Sequence, residues 1–310
     1  MKISVLIPAF NAATTIGETL QSILAQQDSD FEIVIADGGS SDDTVAVAQR
    51  VGGRHVSVVS EPDAGQLDAL YKAVARSRGE ILYWLNADDI VMPGAFAVAR
   101  EKLTDPRVDF VFSDDFAFDS TTRGLYVGAT IRGLRRAHHE LFYRQLYSET
   151  VFFKRYLATR PDRSCFDLRI YTDYYFFLHT LSGARGRWVS KRLGAFRVAA
   201  GQMSQKWAAR KAQEFDRIRT NYYAARGWNP TEVRLRRILH LPSFIVAQKI
   251  WPAVERGWRR LERILTGDRR RRHQTDTFFD GWLGTRKSVS GGNPQQNPAD
   301  RHLLETSLYR

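Results

Sequence analysis

Cysteine is nearly absent from this chain of 310 residues, since Cys165 is the only one. A single cysteine excludes an intrachain disulfide framework and a cysteine-rich zinc site. Its scarcity favours a reducing compartment, and we therefore expect a cytoplasmic protein.

Long apolar runs are missing as well. The nearest approach to one, residues 238–254, is interrupted by His240, Pro242 and Lys249, so no ordinary transmembrane helix is predicted. The apolar stretch within the first ten residues is short and is broken by Pro8, so we expect no signal peptide.

Neither common phosphate-binding signature occurs in the sequence. No Gly-x-Gly-x-x-Gly follows the first apolar run, and no Gly-Lys-Ser or Gly-Lys-Thr is present. Both signatures place the backbone N–H groups of a glycine-rich loop around phosphate oxygens. Their absence argues against the usual dinucleotide-binding and P-loop folds.

Positive charge is concentrated in the C-terminal third. Residues 1–190 carry 21 Lys and Arg against 24 Asp and Glu, whereas residues 191–310 carry 25 against 10. Such asymmetry predicts a polyanionic partner, either an anionic membrane surface or nucleic acid. No base-reading module accompanies the charge, so nucleic acid is the less favoured partner. A solvated basic surface without a specific partner is the remaining alternative.

Two hydrophobic periods alternate along the first 115 residues. Short β-branched and aromatic runs predict buried strands, and apolar residues at i, i+3 and i+4 predict helices between them. Thr15 and Glu18, three residues apart, predict a capping box at the first helix. The predicted strands are residues 3–7, 31–35, 56–59, 81–85 and 108–112. The alternation predicts an α/β fold with a mostly parallel sheet flanked by helices on both faces.

Acidic residues follow four of these predicted strands. They are Asp37, Asp63, the pair Asp88 and Asp89, and the pair Asp114 and Asp115. The carboxyl ends of parallel strands share one edge of the sheet, where open α/β sheets bind ligands. Carboxylates there repel a phosphate unless a divalent cation lies between them. Mg²⁺ or Mn²⁺ suits such a site, because these ions combine hard oxygen ligands with substrate phosphates.

Four motifs in order carry a resemblance to a known family. They read Ser-Val-Leu-Ile-Pro-Ala-Phe-Asn at 4–11, Asp-Gly-Gly-Ser-Ser-Asp-Asp-Thr at 37–44, Ser-Glu-Pro-Asp-Ala-Gly at 60–65 and Leu-Asn-Ala-Asp-Asp at 85–89. This series resembles the family 2 glycosyltransferases, which have the Rossmann-like GT-A fold. The resemblance implies transfer of a sugar from a nucleotide-diphosphate donor, with inversion at the anomeric carbon. UDP is the commonest donor nucleotide in the family, and the sugar is left open.

The resemblance also assigns the donor-binding residues. Pro8, Ala9 and Asn11 come to lie beside the nucleotide, Asp37 contacts the base or ribose, and Asp63 belongs to the loop over the base. Purely structural roles are also compatible with two of these residues. Pro8 could end an edge strand, and Asp37 could form a turn beside two glycines.

The metal and the donor diphosphate are assigned to the fourth motif. Asp88 matches the metal-binding acid of the family's Asp-x-Asp motif, and Asp89 is its neighbour in the expected metal site. Asn86 stands where many members carry the first Asp, and Ala199 stands where many carry a further His. Asp88 is therefore the stronger candidate for coordination. The alternative is that Asp88 and Asp89 cap the following segment.

The run Tyr-Thr-Asp-Tyr-Tyr at 171–175 resembles the family's acidic motif at the start of a helix, and the resemblance makes Asp173 the expected general base of the implied reaction. Removing the proton of an acceptor hydroxyl as the new bond forms lowers the barrier by about 10²–10⁴-fold in rate. Asp173 follows Thr172, a predicted helix N-cap, and the helix dipole there favours the ionised carboxylate. The alternative is that Asp173 only stabilises the helix terminus. Asp114 and Glu149 are the next candidates for the base.

The sequence pattern divides the chain into three parts. Residues 1–205 are the predicted catalytic domain, with a nucleotide-sugar half at 1–115 and an acceptor half at 116–205. Residues 206–272 are a basic amphipathic helical region with 18 Lys and Arg against 6 Asp and Glu. Residues 273–310 are a tail that we expect to be partly disordered.

The basic region carries an apolar stripe. From Trp251 to Leu265, apolar residues recur every three or four positions, and most arginines fall off that stripe. A helix of this kind predicts peripheral attachment to the inner face of an anionic membrane. Such a location suits an acceptor that is lipid-linked or part of a growing cell-surface glycan. The alternative is a helical subdomain that packs on the catalytic domain.

Two other functions stay open from the sequence. A nucleotidyltransferase that forms nucleotide-sugars would need a glycine-rich basic loop after the first strand, which is missing. A non-catalytic glycan-binding or polyanion-binding protein would have no use for Asp88, Asp89 and Asp173 together. The sequence therefore favours a glycosyltransferase.

Overall fold

The computed structural model describes residues 1–27, 30–119, 125–127, 136–142, 146–158, 166–199 and 210–246. The chain divides into two units, Met1–Ala253 and Val254–Arg310, and every described residue belongs to the first. The predicted boundary near 205, the stripe from Trp251 and the tail at 273–310 lie outside the described residues.

Strands and helices alternate along the chain as the hydrophobic pattern predicts. The strands are β1 Ile3–Ala9, β2 Phe31–Asp37, β3 Val56–Ser60, β4 Ile81–Trp84, β5 Ile90–Val91, β6 Phe110–Ser113, β7 Phe116–Asp119, β8 Leu125–Val127, β9 Val151–Lys154, β10 Gly186–Val189 and β11 Gly194–Val198. The helices are α1 Ile16–Leu24, α2 Thr44–Gly52, α3 Gln66–Arg76, α4 Ala95–Leu103, α5 Arg136–Phe142, α6 Thr172–Thr180, α7 Lys211–Ala225 and α8 Pro230–Ile245. A 3-10 turn at Ser148–Thr150 precedes β9.

The main sheet has seven strands in the order β10-β6-β9-β4-β1-β2-β3. All neighbours are parallel except β9, which runs antiparallel to both β4 and β6. A second sheet has the order β5-β11-β7-β8. The predicted α/β fold with a mostly parallel sheet is confirmed. The chain moves outward through β2 and β3 and then returns to β4 beside β1, so a topological switch point lies between β1 and β4.

Helices cover both faces of the main sheet. Successive residues of β1 alternate between two buried clusters, with Leu6 in one and Val5 and Ile7 in the other. The first cluster includes residues of α3 and α6, and the second includes residues of α1 and α4. This alternation is the period of two that a strand buried on both faces must show.

Pro8 lies inside the sheet and does not end an edge strand. It is buried, and the pairing of β1 with β2 continues past it to Ala9 opposite Asp37. On the other side, the pairing of β1 with β4 ends at Leu6 opposite Trp84. A proline has no N–H to donate, and it is tolerated here because β4 no longer pairs with β1 at this level.

Two helix starts differ from the sequence prediction. Thr15 occupies the N-cap position of α1, but its side chain makes no capping bond, and Glu18 lies 2.8 Å from the guanidinium of Arg197. The predicted capping box is therefore wrong, because Glu18 has a buried cationic partner. At α6 the N-cap is Tyr171, and Thr172 is the first helical residue. Asp173 lies in the first turn, as predicted.

No helix within the described ranges is both long enough and apolar enough to cross a bilayer. Helix α8 also contains Pro242 and charged residues.

Candidate active site

Asp37 ends β2 and organises the loop after it. Its carboxylate accepts hydrogen bonds from the backbone N–H groups of Gly39 and Ser40 at 3.2 and 3.0 Å, and from the Ser60 hydroxyl at 2.6 Å. Burial alone would raise the pKa of Asp37, but these bonds and one from the Ser40 hydroxyl outweigh it and lower the pKa below its ordinary value. Asp37 is thus held ionised at the carboxyl end of the sheet.

Asp63 lies against the same loop. A Cβ atom placed on Gly38 would come within 2.5 Å of the Asp63 carboxylate, so a side chain at position 38 would have to displace it. The Asp63 carboxylate also accepts a hydrogen bond from the Gly65 N–H at 2.8 Å. Burial raises the pKa of Asp63. The structure therefore brings Asp37 and Asp63 together, as the parallel sheet predicts.

Asn11 connects the loop after β1 to the loop after β2. Its side-chain oxygen accepts a hydrogen bond from the Ser41 N–H at 2.9 Å, and its own N–H donates to the Ser40 hydroxyl at 2.8 Å. Asn11 has a φ of 49°, in the left-handed region that asparagine tolerates better than most residues. Pro8, Ala9 and Asn11 therefore border the Asp37 loop.

Asp88 and Asp89, in the turn after β4, have different surroundings. Asp88 is half-buried, and its backbone carbonyl accepts a hydrogen bond from the Arg197 side chain at 2.6 Å. Asp89 is fully buried, and its two oxygens accept from the Arg197 N–H at 2.9 Å and from the Asn86 amide at 3.0 Å. Burial, and then the charge of Asp88, raise the pKa of Asp89 well above its ordinary value.

The donor set of this turn limits the kind of cation site that it can form. Within the described ranges, no three His, Cys, Asp or Glu side chains are grouped so as to hold a metal ion. Asp88 offers a half-buried carboxyl group, whereas the oxygens of Asp89 are already bonded to protein donors. Mg²⁺ and related ions often take only one or two carboxylates and complete their shell with water and substrate phosphates. The residues fit such an ion and do not fit a closed protein cage.

Asp173 reaches this edge through the start of α6. The Thr172 hydroxyl donates to the Gln66 side-chain oxygen at 2.5 Å, and the Gln66 amide donates to the Asn86 side-chain oxygen at 2.9 Å. Asp173 itself is half-buried and accepts a hydrogen bond from the Tyr174 N–H at 2.7 Å. Two side chains therefore join the first turn of α6 to the acidic turn after β4.

Glu149 lies beneath the same region. It is 1% exposed, and its backbone carbonyl accepts a hydrogen bond from the Tyr83 hydroxyl at 2.9 Å. Burial raises the pKa of Glu149 well above its ordinary value, and the carboxyl groups of Asp89, Asp115 and Asp173 raise it further. Four carboxyl groups therefore share one electrostatic environment. Glu149 is poorly placed to accept a proton from an acceptor, since it has almost no exposed surface.

Two residues of this region, Gln66 and Ser148, are not assigned to the site by any sequence pattern. Arg197 stands two positions before Ala199, in the segment that resembles the family's Arg-x-His, but the sequence does not identify the partners of its side chain. Arg197 is 4% exposed, and its cationic group lies over the Phe118 ring at 4.7 Å. A buried arginine between carboxylates is visible in a structure and not in a one-dimensional pattern, because its partners are up to 179 positions away in sequence.

The geometry defines an α/β protein with acidic residues at one edge of its sheet, next to a topological switch point. The family model described as "Glycosyl transferase family 2" matches residues 4–159, about half of the chain. The chain belongs to glycosyl transferase family 2, which confirms the resemblance seen in the four motifs.

Several curated proteins share the N-terminal part of this chain. An uncharacterized glycosyltransferase of Nostoc is 36% identical over 96 residues, 30% of either protein. A PGL/p-HBAD biosynthesis glycosyltransferase of Mycobacterium bovis is 36% identical over 89 residues, 28% of this chain and 35% of the relative. The chondroitin synthase of Pasteurella multocida is 32% identical over 114 residues, 36% of this chain and 12% of that protein. The chain thus matches about a third or less of the length of these relatives.

Solved structures share the fold. A mannosyltransferase from Pyrobaculum calidifontis in complex with GDP-Man and Mn²⁺ superposes with a TM-score of 0.54 at 20% identity, covering 91% of this chain and 84% of that one. S. aureus TarS (1–349) in complex with UDP-GlcNAc gives a TM-score of 0.51 at 18% identity, covering 80% and 79%. These similarities show a GT-A fold, as expected from the sequence.

Proposed function

We propose that this protein transfers a sugar from a nucleotide-diphosphate donor to a glycan or a lipid-linked acceptor, with inversion at the anomeric carbon. One observation carries the proposal. The half-buried Asp88 at the β1–β4 switch point and Asp173 at the start of α6 belong to elements that Gln66 joins by hydrogen bonds. A group that acts on the donor diphosphate and a group that acts on the acceptor are thereby held at one edge of the sheet.

The donor nucleotide is proposed to lie against the ends of β1, β2 and β3. Pro8, Ala9 and Asn11 border the Asp37 loop, and Asp63 packs against that loop. We assign Asp37 to the base or ribose because it matches the family's motif, and the hydrogen bonds donated by its loop keep its carboxylate ionised at this edge. UDP is the first donor to test. GDP is the second, since the mannosyltransferase similar to this chain was solved with GDP-Man.

Asp173 is proposed to act as the general base. The acceptor hydroxyl oxygen forms a bond to the anomeric carbon, while the bond from that carbon to the diphosphate oxygen breaks. The hydroxyl proton passes to the Asp173 carboxylate, and the nucleoside diphosphate leaves with the electron pair. One displacement gives inversion and requires no covalent intermediate. The positive end of the α6 dipole favours the ionised form of Asp173 before the proton arrives.

Asp88 would hold a divalent cation together with the donor diphosphate. Mn²⁺ or Mg²⁺ bound there would neutralise charge on the departing diphosphate. Support comes from the oxygen donor set of the turn and from the Mn²⁺ complex of the mannosyltransferase. Asp89 takes the role of holding the turn, because its oxygens accept bonds from Arg197 and Asn86.

Synthesis of a polysaccharide or glycolipid is the proposed setting. The similar proteins include a chondroitin synthase and a glycosyltransferase of PGL/p-HBAD biosynthesis. A nucleotidyltransferase is less favoured, because no glycine-rich basic loop follows β1. A non-catalytic binding protein is less favoured, because it would have no use for a base linked to a metal-binding turn.

Peripheral attachment to the cytoplasmic face of a membrane is the proposed location, and α8 supports it. One side of α8 contacts the protein, since Val233 is buried and the Phe244 ring stacks on Phe142 at 4.4 Å. The other side presents Leu235, Ile238 and Leu239, which are 62%, 60% and 75% exposed.

The charge of α8 fits an anionic lipid surface. Arg234 is exposed next to Leu235, whereas Arg236 is paired with Glu232 at 2.7 Å, and the helix carries three arginines against that one glutamate. Apolar side chains that enter the interface and arginines that face lipid headgroups stabilise a helix lying on a membrane. Each basic residue near an anionic surface contributes about 1 kcal/mol.

Nucleotide-sugar turnover tests the proposed function. The full chain is incubated with UDP-, GDP- and dTDP-sugars in the presence of Mn²⁺ or Mg²⁺, and release of the nucleoside diphosphate is measured. We expect slow hydrolysis of one donor and none of the others. The Asp88→Ala variant is the control. No release from any donor, together with no binding of UDP, GDP or dTDP by calorimetry, would contradict the proposal.

A further inference from the structure

The Asn86 side chain in the turn after β4 has all of its hydrogen-bonding capacity in use. Its side-chain oxygen accepts from the Trp84 indole N–H and from the Gln66 amide, both at 2.9 Å. Its amide nitrogen donates to the Asp89 carboxylate at 3.0 Å and to the Ser148 hydroxyl at 3.2 Å. An asparagine has two acceptor and two donor positions, and here each of them has a partner.

The partners of Asn86 determine which way its amide must point. An indole N–H can only donate, so the atom facing Trp84 must be an acceptor. With the amide oxygen held on the Trp84 side, the amide nitrogen faces Asp89 and donates to its carboxylate oxygen. Only an amide places an acceptor on one side and a donor on the other. An aspartate at this position would bring two carboxylates to about 3 Å from each other, where like charges repel.

An amide at position 86 suits the surroundings of this chain's own turn. Asp89 is fully buried and is also bonded to the Arg197 N–H on its far side, so it cannot rotate away without breaking that bond. The residue at 86 must therefore be complementary to Asp89.

The bonds of Asn86 extend to both sides of the proposed site. On one side Gln66, the first residue of α3, continues to the Thr172 hydroxyl at 2.5 Å in the first turn of α6. On the other side Asp89 accepts a hydrogen bond from the backbone N–H of Arg197, a residue of β11 whose side chain donates to the Asp88 carbonyl. Asn86 is the junction of these two series of hydrogen bonds.

From this geometry we infer that Asn86 is a positioning residue, which fixes the first turn of α6, with Asp173, relative to the turn that carries Asp88. The inference rests on the proposed function, since it holds that Asn86 sets the distance between the general base and the leaving group. Asn86 touches neither substrate in this role. It acts through Gln66 and Thr172 on the acceptor side and through Asp89 on the donor side.

The expected effect is on turnover and not on donor affinity. In the Asn86→Ala variant, α6 can move relative to Asp88 by a fraction of an ångström or more. Misplacement on the order of 1 Å costs up to about 10²-fold in rate. We therefore expect kcat to fall by about 10- to 100-fold, while the Kd for UDP, measured by calorimetry, changes less than about 3-fold.

A double-mutant cycle distinguishes an effect that passes through the hydrogen bonds of Asn86 from a general destabilisation of the site. Thr172→Val removes the hydroxyl that binds Gln66, so Asn86→Ala and Thr172→Val break the same series of bonds. The double variant should lose about as much kcat as the worse single variant, and not the product of both. Gln66→Leu replaces Asn86→Ala in the cycle if that variant does not fold. Thr180→Val is the matched control, because Thr180 is a buried threonine on α6 outside the series. Its effect should multiply with that of Asn86→Ala.

An exchange of residues tests the geometry without using activity. Asn86→Asp and Asp89→Asn should each lower the melting temperature, because each places like groups against each other. The double variant restores one amide and one carboxylate with the hydrogen bond reversed, so it should recover most of the loss. The control is Gln26→Glu, which also changes a buried amide to a carboxylate, at a residue bonded to Ser22 and Met92. Combined with Asp89→Asn, it should show no recovery of the melting temperature.

The outcomes separate the two proposals. If the wild type turns over no donor, the proposed function fails, and recovery of the melting temperature still tests the complementarity of Asn86 and Asp89. Strict multiplication of the kcat losses of Asn86→Ala and Thr172→Val in an active enzyme overturns the positioning role. Failure of the exchanged pair to recover stability overturns the geometry on which the inference stands.

Discussion

The backbone N–H of Arg197 donates to the Asp89 carboxylate across 2.9 Å, and both residues are buried. This bond ties β11 to the turn after β4, although the two residues are 108 positions apart. The guanidinium of the same arginine contacts the Asp88 carbonyl at 2.6 Å and Glu18 at 2.8 Å. One side chain therefore connects α1, the acidic turn and β11. Asp89 serves to hold that turn, which is why we assign the diphosphate side of the chemistry to Asp88.

Removing the Arg197 side chain should destabilise the fold more than removing an exposed arginine does. Arg197→Ala removes the arginine that lies against Glu18 and the donor to the Asp88 carbonyl, and breaking a buried pair typically costs about 3–5 kcal/mol. Glu18 is 29% exposed, so we expect about 3 kcal/mol in the free energy of unfolding, measured with urea at pH 7. Arg107→Ala, at an arginine that is 80% exposed and paired with Asp105 in solvent, should cost much less. Equal costs would argue against the role given to Arg197.

Donor binding should depend on a divalent cation through Asp88. We expect UDP to bind in the presence of Mn²⁺ and to lose at least about tenfold in affinity in excess chelator, because the diphosphate then meets the acidic turn without a counter-charge. Asp88→Ala should bind UDP weakly in both conditions and should show no turnover. Calorimetric titration with and without chelator measures this. Tight UDP binding in excess chelator would rule out the assignment.

Replacement of the proposed base should affect turnover alone. In Asp173→Asn, the carboxylate that takes the acceptor proton is lost, while the donor site is unchanged. We expect kcat to fall by about 10²–10⁴-fold, with the Kd for UDP within about threefold of wild type. Asp167→Asn is the matched control, since Asp167 is an exposed aspartate in the segment before α6 and is bonded to Arg217 at 2.9 Å. Unchanged turnover in Asp173→Asn would place the base on another residue.

The sequence predicts those features that depend on residues close together along the chain. The strands near 3–7, 31–35 and 81–85 carry runs that only a doubly covered sheet can bury, so the fold and the acidic edge of its sheet were predictable. Asp37 and Asp63 were predictable for the same reason, because Asp37 ends β2 and Asp63 follows β3. These inferences required no knowledge of contacts between residues that are distant in the sequence.

The connections within the site were not predictable. Gln66 and Thr172 are 106 positions apart, and no sequence pattern pairs them, so their contact depends on how α3 packs against α6. The capping box at Thr15 failed for a related reason. Glu18 satisfies a local rule in the sequence, but a buried arginine from β11 competes for its carboxylate more strongly than a backbone N–H does.

The hydrogen-bonded ion pair of Asp109 and Arg185 should make the stability of the fold depend on pH in the acid range. The Asp109 carboxylate is 7% exposed and accepts bonds from Arg185 at 2.8 and 2.9 Å. The Arg185 side chain holds the pKa of Asp109 well below its ordinary value. A lowered folded pKa gives stability that is present above about pH 4 and is lost as the pH falls through the folded value.

Asp109→Asn tests this contribution. At pH 7 we expect it to cost about 1–2 kcal/mol in the free energy of unfolding, because Arg185 is 58% exposed and water screens part of the attraction. The difference from wild type should shrink below pH 4. Urea denaturation at pH 7 and pH 3 measures both values. A difference that is the same at both pH values would show that Asp109 stabilises the fold by packing and not by charge.

Attachment to membranes should require the exposed face of α8. The full chain should sediment with vesicles containing an anionic phospholipid, should remain in solution with pure phosphatidylcholine, and should be released by high salt. Replacing Leu235, Ile238 and Leu239 together by serine removes apolar surface worth on the order of 1 kcal/mol per side chain at the interface, so partitioning should fall by about 100-fold. Tyr156→Ser is the matched control, since Tyr156 is as exposed as Leu235 but lies on another element. If the triple variant sediments as the wild type does, α8 is not the contact, and the attraction must come from elsewhere in the basic third of the chain. If the wild type stays in solution with anionic vesicles, the proposed location is wrong.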